Sequence, residues 1–268
     1  MTLSGVWQNE YGSIMDLSVY GGGLVFGTYS SSTGSTGEYR VIGFQQNANP
    51  TTTAGQAVAL AIAWHSIAGG KGDPSWNWSS GLSGQLSLQN GKESLVLAHA
   101  MVASSAFPGL CAAGTYIDKL IYARVSDTSR EANEKPLQTA AVADPMAGTW
   151  ATADGATVLT LRVYPYTGNL FGWVSGSLSN GGTVCQIEGV TDINAAASGL
   201  TLQSTGLTAI QNLQNGPAIA FAGCLDLRTG QLTLLKLASL STAPDATYVQ
   251  TTVDQLSFRR VAADHNGK

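Results

Sequence analysis

The opening frame Gly5-Val6-Trp7 is answered late in the chain by Gly148-Thr149-Trp150, and the run Ile117 to Val125 is answered by Val253 to Val261. Trp150 follows Trp7 by 143 positions, and Asp254 follows Asp118 by 136. Two segments of nearly equal length thus share both ends in register. Between those ends, Leu170-Phe171-Gly172 matches Val25-Phe26-Gly27, and Phe221 to Leu225 falls where Gly81 to Gln85 falls. So small a net loop change over a whole domain is what tandem copies of one fold show. A fold built twice in 268 residues must close its core within units of ordinary domain size.

Each copy reads as short β-strands. In the first, residues 5–11, 13–20, 24–31, 38–46, 56–66, 79–89, 94–103 and 115–125 form strand-like runs bounded by Gly, Ser, Asn and Pro. Asn90-Gly91 between two of these runs is a strong hairpin signal, because both residues tolerate the positive φ of a type I′ turn. Eight sequential strands with mostly short connections suit an up-and-down barrel, whose closure removes exposed edges and leaves room for one small ligand. The sequence therefore predicts an all-β fold of two tandem eight-stranded antiparallel barrels. The first occupies residues 1–125, a linker 126–146, the second barrel 147–262 and a tail 263–268. In the stretch Gly5 to Ser13, Trp7 and Asn9 share one strand face. Trp7 can plug the barrel floor while Asn9 and Ser13 turn polar groups into the same interior.

Composition excludes several classes. Charged residues are 11% of the chain, the net charge is −4, and the basic residues are scattered, so no nucleic-acid footprint is present. No apolar run approaches the roughly 20 residues needed to cross a bilayer. The first strand is expected to begin almost at Met1, so no signal peptide is expected. The expected location is cytoplasmic, or outside the cell by a route the sequence does not display. Cys111, Cys185 and Cys224 show no metal-ligand spacing, and no metal or cofactor is expected. Reduced, buried thiols and a Cys185–Cys224 bridge both remain open. Ser129 to Lys135 is the densest charge run and reads as a solvated linker. His65 beside Trp64 should face away from the interior onto the surface, whereas His99 falls within an alternating strand and can lie inside. No nucleophile elbow or phosphate loop is present.

The motifs of the first half resemble the avidin and streptavidin family of biotin-binding barrels. Gly5 to Ser13 is similar to the family's opening strand and turn, and Phe26 to Ser31 to its third strand. Ala61-Ile62-Ala63-Trp64 resembles the strand carrying a wall tryptophan, and Leu82-Ser83-Gly84-Gln85 the Trp-Ser-Gly-Gln strand. The resemblance covers about residues 4–125, and more weakly 147–262. It implies that Asn9, Ser13 and Tyr29 donate to a ureido oxygen while Ser31 and Asp118 accept from the ureido nitrogens. Thr33, Gly34 and Ser35 would lie in the loop over the ligand, Trp64 would be an apolar wall, and Ser80 would face the ligand's sulfur.

The departures concern the apolar end. Leu82 stands where the family has a tryptophan, and Leu95 to Ala100 contains none. The segment from Ser104 to Gly114 offers only Phe107; Trp76 and Trp78 are candidate substitutes. In the second copy, Thr152, Ala156 and Val174 stand for Asn9, Ser13 and Tyr29, while Asp254 persists. That half reads as a degenerate copy that supports the first or holds a different apolar ligand.

The expected function is non-catalytic binding of biotin or a biotin-like small molecule in the first barrel. The two barrels should pair within the chain as a pseudo-dimer, and a dimer of two-barrel chains is a further expectation. An enzyme is the alternative, using Asp118, His99 or Tyr29 as acid or base for cyclisation or isomerisation of an apolar molecule. A toxin or lectin-like interaction protein is a third reading.

Overall fold

The structure, a computed structural model, describes residues 2–31, 36–68, 77–105, 112–129, 140–246 and 251–261. Its first half contains β1 (Gly5–Asn9), β2 (Ile14–Val19), β3 (Leu24–Ser31), β4 (Gly37–Gln45), β5 (Gln56–Ala68), β6 (Trp78–Gln89), β7 (Lys92–Ala103) and β8 (Gly114–Ser126). The second contains β9 (Gly148–Thr152), β10 (Thr157–Pro165), β11 (Gly172–Asn180), β12 (Thr183–Thr191), β13 (Leu202–Ile210), β14 (Ala218–Asp226), β15 (Gln231–Ser239) and β16 (Thr251–Arg260). Each set closes into an antiparallel barrel in which sequential strands pair and the last returns to the first. The all-β tandem-barrel expectation holds. At the β6–β7 hairpin, Asn90 and Gly91 take φ of 51° and 74°, the paired positive values the turn demands.

Both floors are built the same way. The Trp7 indole N–H donates to the Leu3 carbonyl at 2.9 Å, and the Arg124 guanidinium lies 4.1 Å from the ring centre. Arg124 also donates to the carbonyls of Ser4 and Thr2 and pairs with Glu93. In the second barrel Trp150 donates to the Met146 carbonyl at 2.9 Å, under Arg260. A cation over a buried indole face gains from the ring quadrupole while its remaining donors satisfy carbonyls at the barrel end. Met146 is fully buried in the second core, so the last residues of the expected linker are part of that floor. The charged residues 130–135 lie outside the described residues.

The strands between the barrels are buried on both faces. Along β5, Val58, Leu60, Ile62 and Trp64 fill the first lumen, while Ala57, Ala59, Ala61 and Ala63 point outward. β14 repeats the pattern, with Ile219 and Phe221 inward and Ala218, Ala220 and Ala222 outward. Small outward residues let two sheet faces approach closely. Phe26, Ile42 and Phe44 meet Phe171, Trp173, Val190 and Ile210, and the alanine stripes of β5 and β14 pack with Ala100, Val102 and Leu237. Hydrogen bonds cross the same contact, from Ser83 to the Ala218 carbonyl at 2.9 Å and from Gln46 to the Gly216 carbonyl at 2.7 Å. His65 does face outward as expected, but that face is covered by the second barrel. It is 8% exposed and stands 3.7 Å from the buried carboxylate of Asp192, not on the surface. Cys185 and Cys224 are both free thiols, so no bridge joins them; Cys111 is outside the described residues.

Candidate ligand-binding site

Four polar side chains meet deep in the first barrel. Asn9 ends β1, Ser13 closes the tight turn into β2, and Tyr29 lies opposite Met15 on β3. All three are buried. The fourth, Tyr122, is the direct strand partner of Asn9 across the β1–β8 seam and is fully buried. The sequence reading missed it. Its signal was present, because Tyr122 lies an even number of positions from Leu120 and Asp118 and so shares their inward face.

The turn fixes what Asn9 can offer. Its carboxamide oxygen accepts the backbone N–H groups of Ser13 at 2.9 Å and Tyr11 at 3.1 Å. With that oxygen occupied, only the NH2 group remains for the lumen, and Asn9 faces it as a donor. Burial raises the Tyr29 pKa, and the neighbouring polar side chains of Ser13, Asn9 and Tyr122 pull it partly back. Tyr122 is raised well above the usual phenol value, first by burial. Both phenols therefore keep their protons at neutral pH. The Tyr122 hydroxyl packs against Asn9 and Tyr29 but makes no hydrogen bond of good geometry to the protein. A buried hydroxyl in that condition demands a partner.

An aromatic wall rises beside this cluster. Trp64 meets Tyr29 edge-on at 5.6 Å and Tyr39 at 4.9 Å between ring centres. Trp78 is 2% exposed and joins the same lumen cluster, so it does fold inward. Leu82 is buried there too, with Met101 and Tyr116 packed against its edge. The apolar end is thus remodelled with Trp78 and Tyr39 rather than merely stripped of rings. Trp76 and Phe107 lie outside the described residues, as do Thr33, Gly34 and Ser35.

Ser80 links two walls. It accepts the Trp64 indole N–H at 2.8 Å and meets His99 Nε2 at 2.8 Å. An indole can only donate, so the Ser80 proton is free to go to the imidazole. His99 lies inside, as the alternation of β7 allowed. Burial lowers its pKa to about 4, against a smaller opposing pull from Asp118. The imidazole is therefore neutral at neutral pH, a hydrogen-bonding wall residue and a weak base.

Asp118 does not join the donors. It is the strand partner of His99, exposed at the barrel mouth, and its Oδ1 accepts the N–H of Lys119. It lies four positions from Tyr122 along β8, about 13 Å at the usual strand rise. Between them, the inward position beside the cluster is Leu120, 6% exposed. Ser31 shares the inward parity of Tyr29, two residues nearer the mouth.

The second barrel corrects the expected correspondence. Trp150 pairs with Leu159 as Trp7 pairs with Met15, and Leu159 pairs with Leu178 as Met15 pairs with Tyr29. Leu178, not Val174, therefore stands for Tyr29, and buried Thr157, not exposed Ala156, stands for Ser13. Phe221 pairs with Lys236 as Leu82 pairs with His99, so Phe221 answers Leu82, one position from the sequence match. Val174 answers Val25 by the same register, four positions from the match drawn at Leu170-Phe171-Gly172. Loop-length differences cause each slip, because strand pairing and not spacing sets the equivalence. Phe258 replaces Tyr122 and Thr152 replaces Asn9. The second lumen thus lacks both phenols.

Residues 1–109 match the model of the Avidin family, and the second barrel repeats the same eight-stranded closure. No curated protein matches the chain. The first barrel is thus similar to the Avidin family over residues 1–109, and two closed eight-stranded barrels in one chain are consistent with a tandem avidin-like protein.

Proposed function

We propose that this tandem avidin-like protein is a non-catalytic binder of a small molecule, biotin or a relative of it, held in the first barrel. The observation that carries the reading is the convergence of Asn9, Ser13, Tyr29 and Tyr122 on one point of the lumen, beneath the wall of Trp64, Tyr39 and Trp78. Donors preorganised around one acceptor, in a site walled off from water, hold a carbonyl without paying to order themselves. The family of the first barrel supports a small-molecule pocket. Binding should be weaker than the tightest known, in the range of about nanomolar to micromolar. The reason is that Leu82 and Leu120 supply less than aromatic and acceptor walls would. The barrel contact supports the two barrels acting as an internal pair, with the second as scaffold.

A catalytic lumen has one geometric support, the Ser80–His99 contact. Against it, Ser80 already accepts from Trp64, and an imidazole held near 4 is a poor base at neutral pH. Titration calorimetry with biotin tests the binding reading, with one site per chain expected. Two equal sites would contradict the loss of both phenols from the second barrel. Absence of heat and of thermal shift at millimolar biotin would exclude biotin itself.

A further inference from the structure

The proposed ligand's polar end meets donors on one side and no matching acceptor on another. Asn9 presents only its NH2, since its oxygen is taken by two backbone N–H groups. Ser13, Tyr29 and Tyr122 each bring a hydroxyl proton, and the buried Tyr122 hydroxyl has no well-formed bond within the protein. The buried Tyr122 hydroxyl is the one left without a partner, so the cluster can take one more oxygen. A ring carbonyl supplies one.

The flanks of that ring differ. On the β3 side, Ser31 follows Tyr29 on the inward face, and a hydroxyl there can accept one N–H. On the β8 side the next inward residue is Leu120, apolar and buried among lumen side chains. The first carboxylate along that strand is Asp118, exposed and about 13 Å from the level of Tyr122. A five-membered ring is only about 2–3 Å across, by ordinary bond lengths, so one held by its carbonyl oxygen at Tyr122 cannot also reach Asp118. An N–H on the β8 flank would be buried against Leu120, where the described residues of that strand offer no acceptor beside it.

Resting on the binding reading above, we infer that the first barrel selects a ring carbonyl with at most one flanking N–H, a lactone, cyclic carbonate or lactam-type group, over a cyclic urea. Leu120 is the residue that sets this preference, and Asp118 has no part in it. The physical cause is asymmetric: an unmade hydrogen bond inside the pocket costs far more than a made one returns, because the ligand gives up water for it.

A matched series tests this with the intact chain. A cyclic carbonate, an oxazolidinone and a cyclic urea, each carrying the same six-carbon alkyl tail, are titrated by calorimetry alongside biotin. The carbonate and the oxazolidinone should bind about tenfold to a hundredfold more tightly than the urea. Leu120→Asn, which puts an acceptor on the β8 flank, should recover about tenfold for the urea and for biotin while leaving the carbonate within about twofold. Asp118→Ala should change all four by less than about twofold. A urea that binds the intact chain as well as or better than the carbonate overturns the inference while leaving the binding reading in place, whatever the variants do. Loss of about tenfold in urea affinity on Asp118→Ala also overturns it. If no ring binds at millimolar concentration, the small-molecule reading falls and the inference with it.

Discussion

His99 makes the first barrel's stability depend on pH in a way that one substitution should remove. In the unfolded chain an imidazole titrates near 6.5, and in the folded barrel burial holds this one to about 4. Between those values the unfolded state binds the extra proton, so stability falls as pH falls. The contribution is fully present above about 6.5 and fully lost below about 4. Between pH 7.5 and 4.5 the linkage amounts to about 2.5 kcal/mol, taking each unit of displacement as about 1.4 kcal/mol. The ring retains some solvent access, which lets water relieve part of the penalty, so about 1–2.5 kcal/mol is expected. His99→Gln can place an amide near the Nε2 position and keep a partner for Ser80 without titrating. Urea unfolding of both proteins at several pH values, followed by tryptophan fluorescence, gives the comparison. Carboxylates contribute to both, including Asp144, whose pKa burial raises, and cancel in the difference. The gap between the two proteins should narrow or reverse by that amount on going to pH 4.5. Parallel curves, with a difference below about 0.5 kcal/mol, would refute a neutral, desolvated His99.

Three other outcomes follow from the same geometry. Tyr29→Phe should weaken ligand binding by about 1–2 kcal/mol, or about fivefold to thirtyfold, in calorimetry, with little change in melting temperature. Gly206→Ala should destabilise the chain by about 1–3 kcal/mol in chemical unfolding. A β-carbon there would fall 2.4 Å from the Ser80 carbonyl of the other barrel, whereas Gly21→Ala, with nothing within 4 Å, should be neutral. Trp64→Phe should cost affinity and stability together, because it removes the indole N–H that Ser80 accepts along with part of the wall. The double variant with Ser80→Ala should then cost less than the two single changes added, as coupled neighbours do.

The sequence by itself determined the strands, their closure and their duplication. Alternation of period two, glycine- and asparagine-bearing turns, and paired end motifs are local signals, and each maps directly to backbone geometry. The inward direction of Asn9 and Ser13 was legible because a tight turn places them with little help from distant residues, whereas Tyr29 was named by the family resemblance. What lay beyond the sequence depended on registers between strands far apart in the chain. A shift of two residues along β8 keeps the same inward face but moves a side chain by about 6.6 Å. Inward parity was therefore readable for Tyr122, Leu120 and Asp118, but only the pairing of Asn9 with Tyr122 decided which of them meets the donors. The same dependence on pairing moved the counterpart of Tyr29 from Val174 to Leu178. His65 shows the other limit. Its outward direction follows from alternation, but an outward residue is exposed only if nothing docks there, and the alanine face of β5 brings a second barrel onto it. Local pattern fixes which way a side chain points; only the packed tertiary structure fixes what it meets.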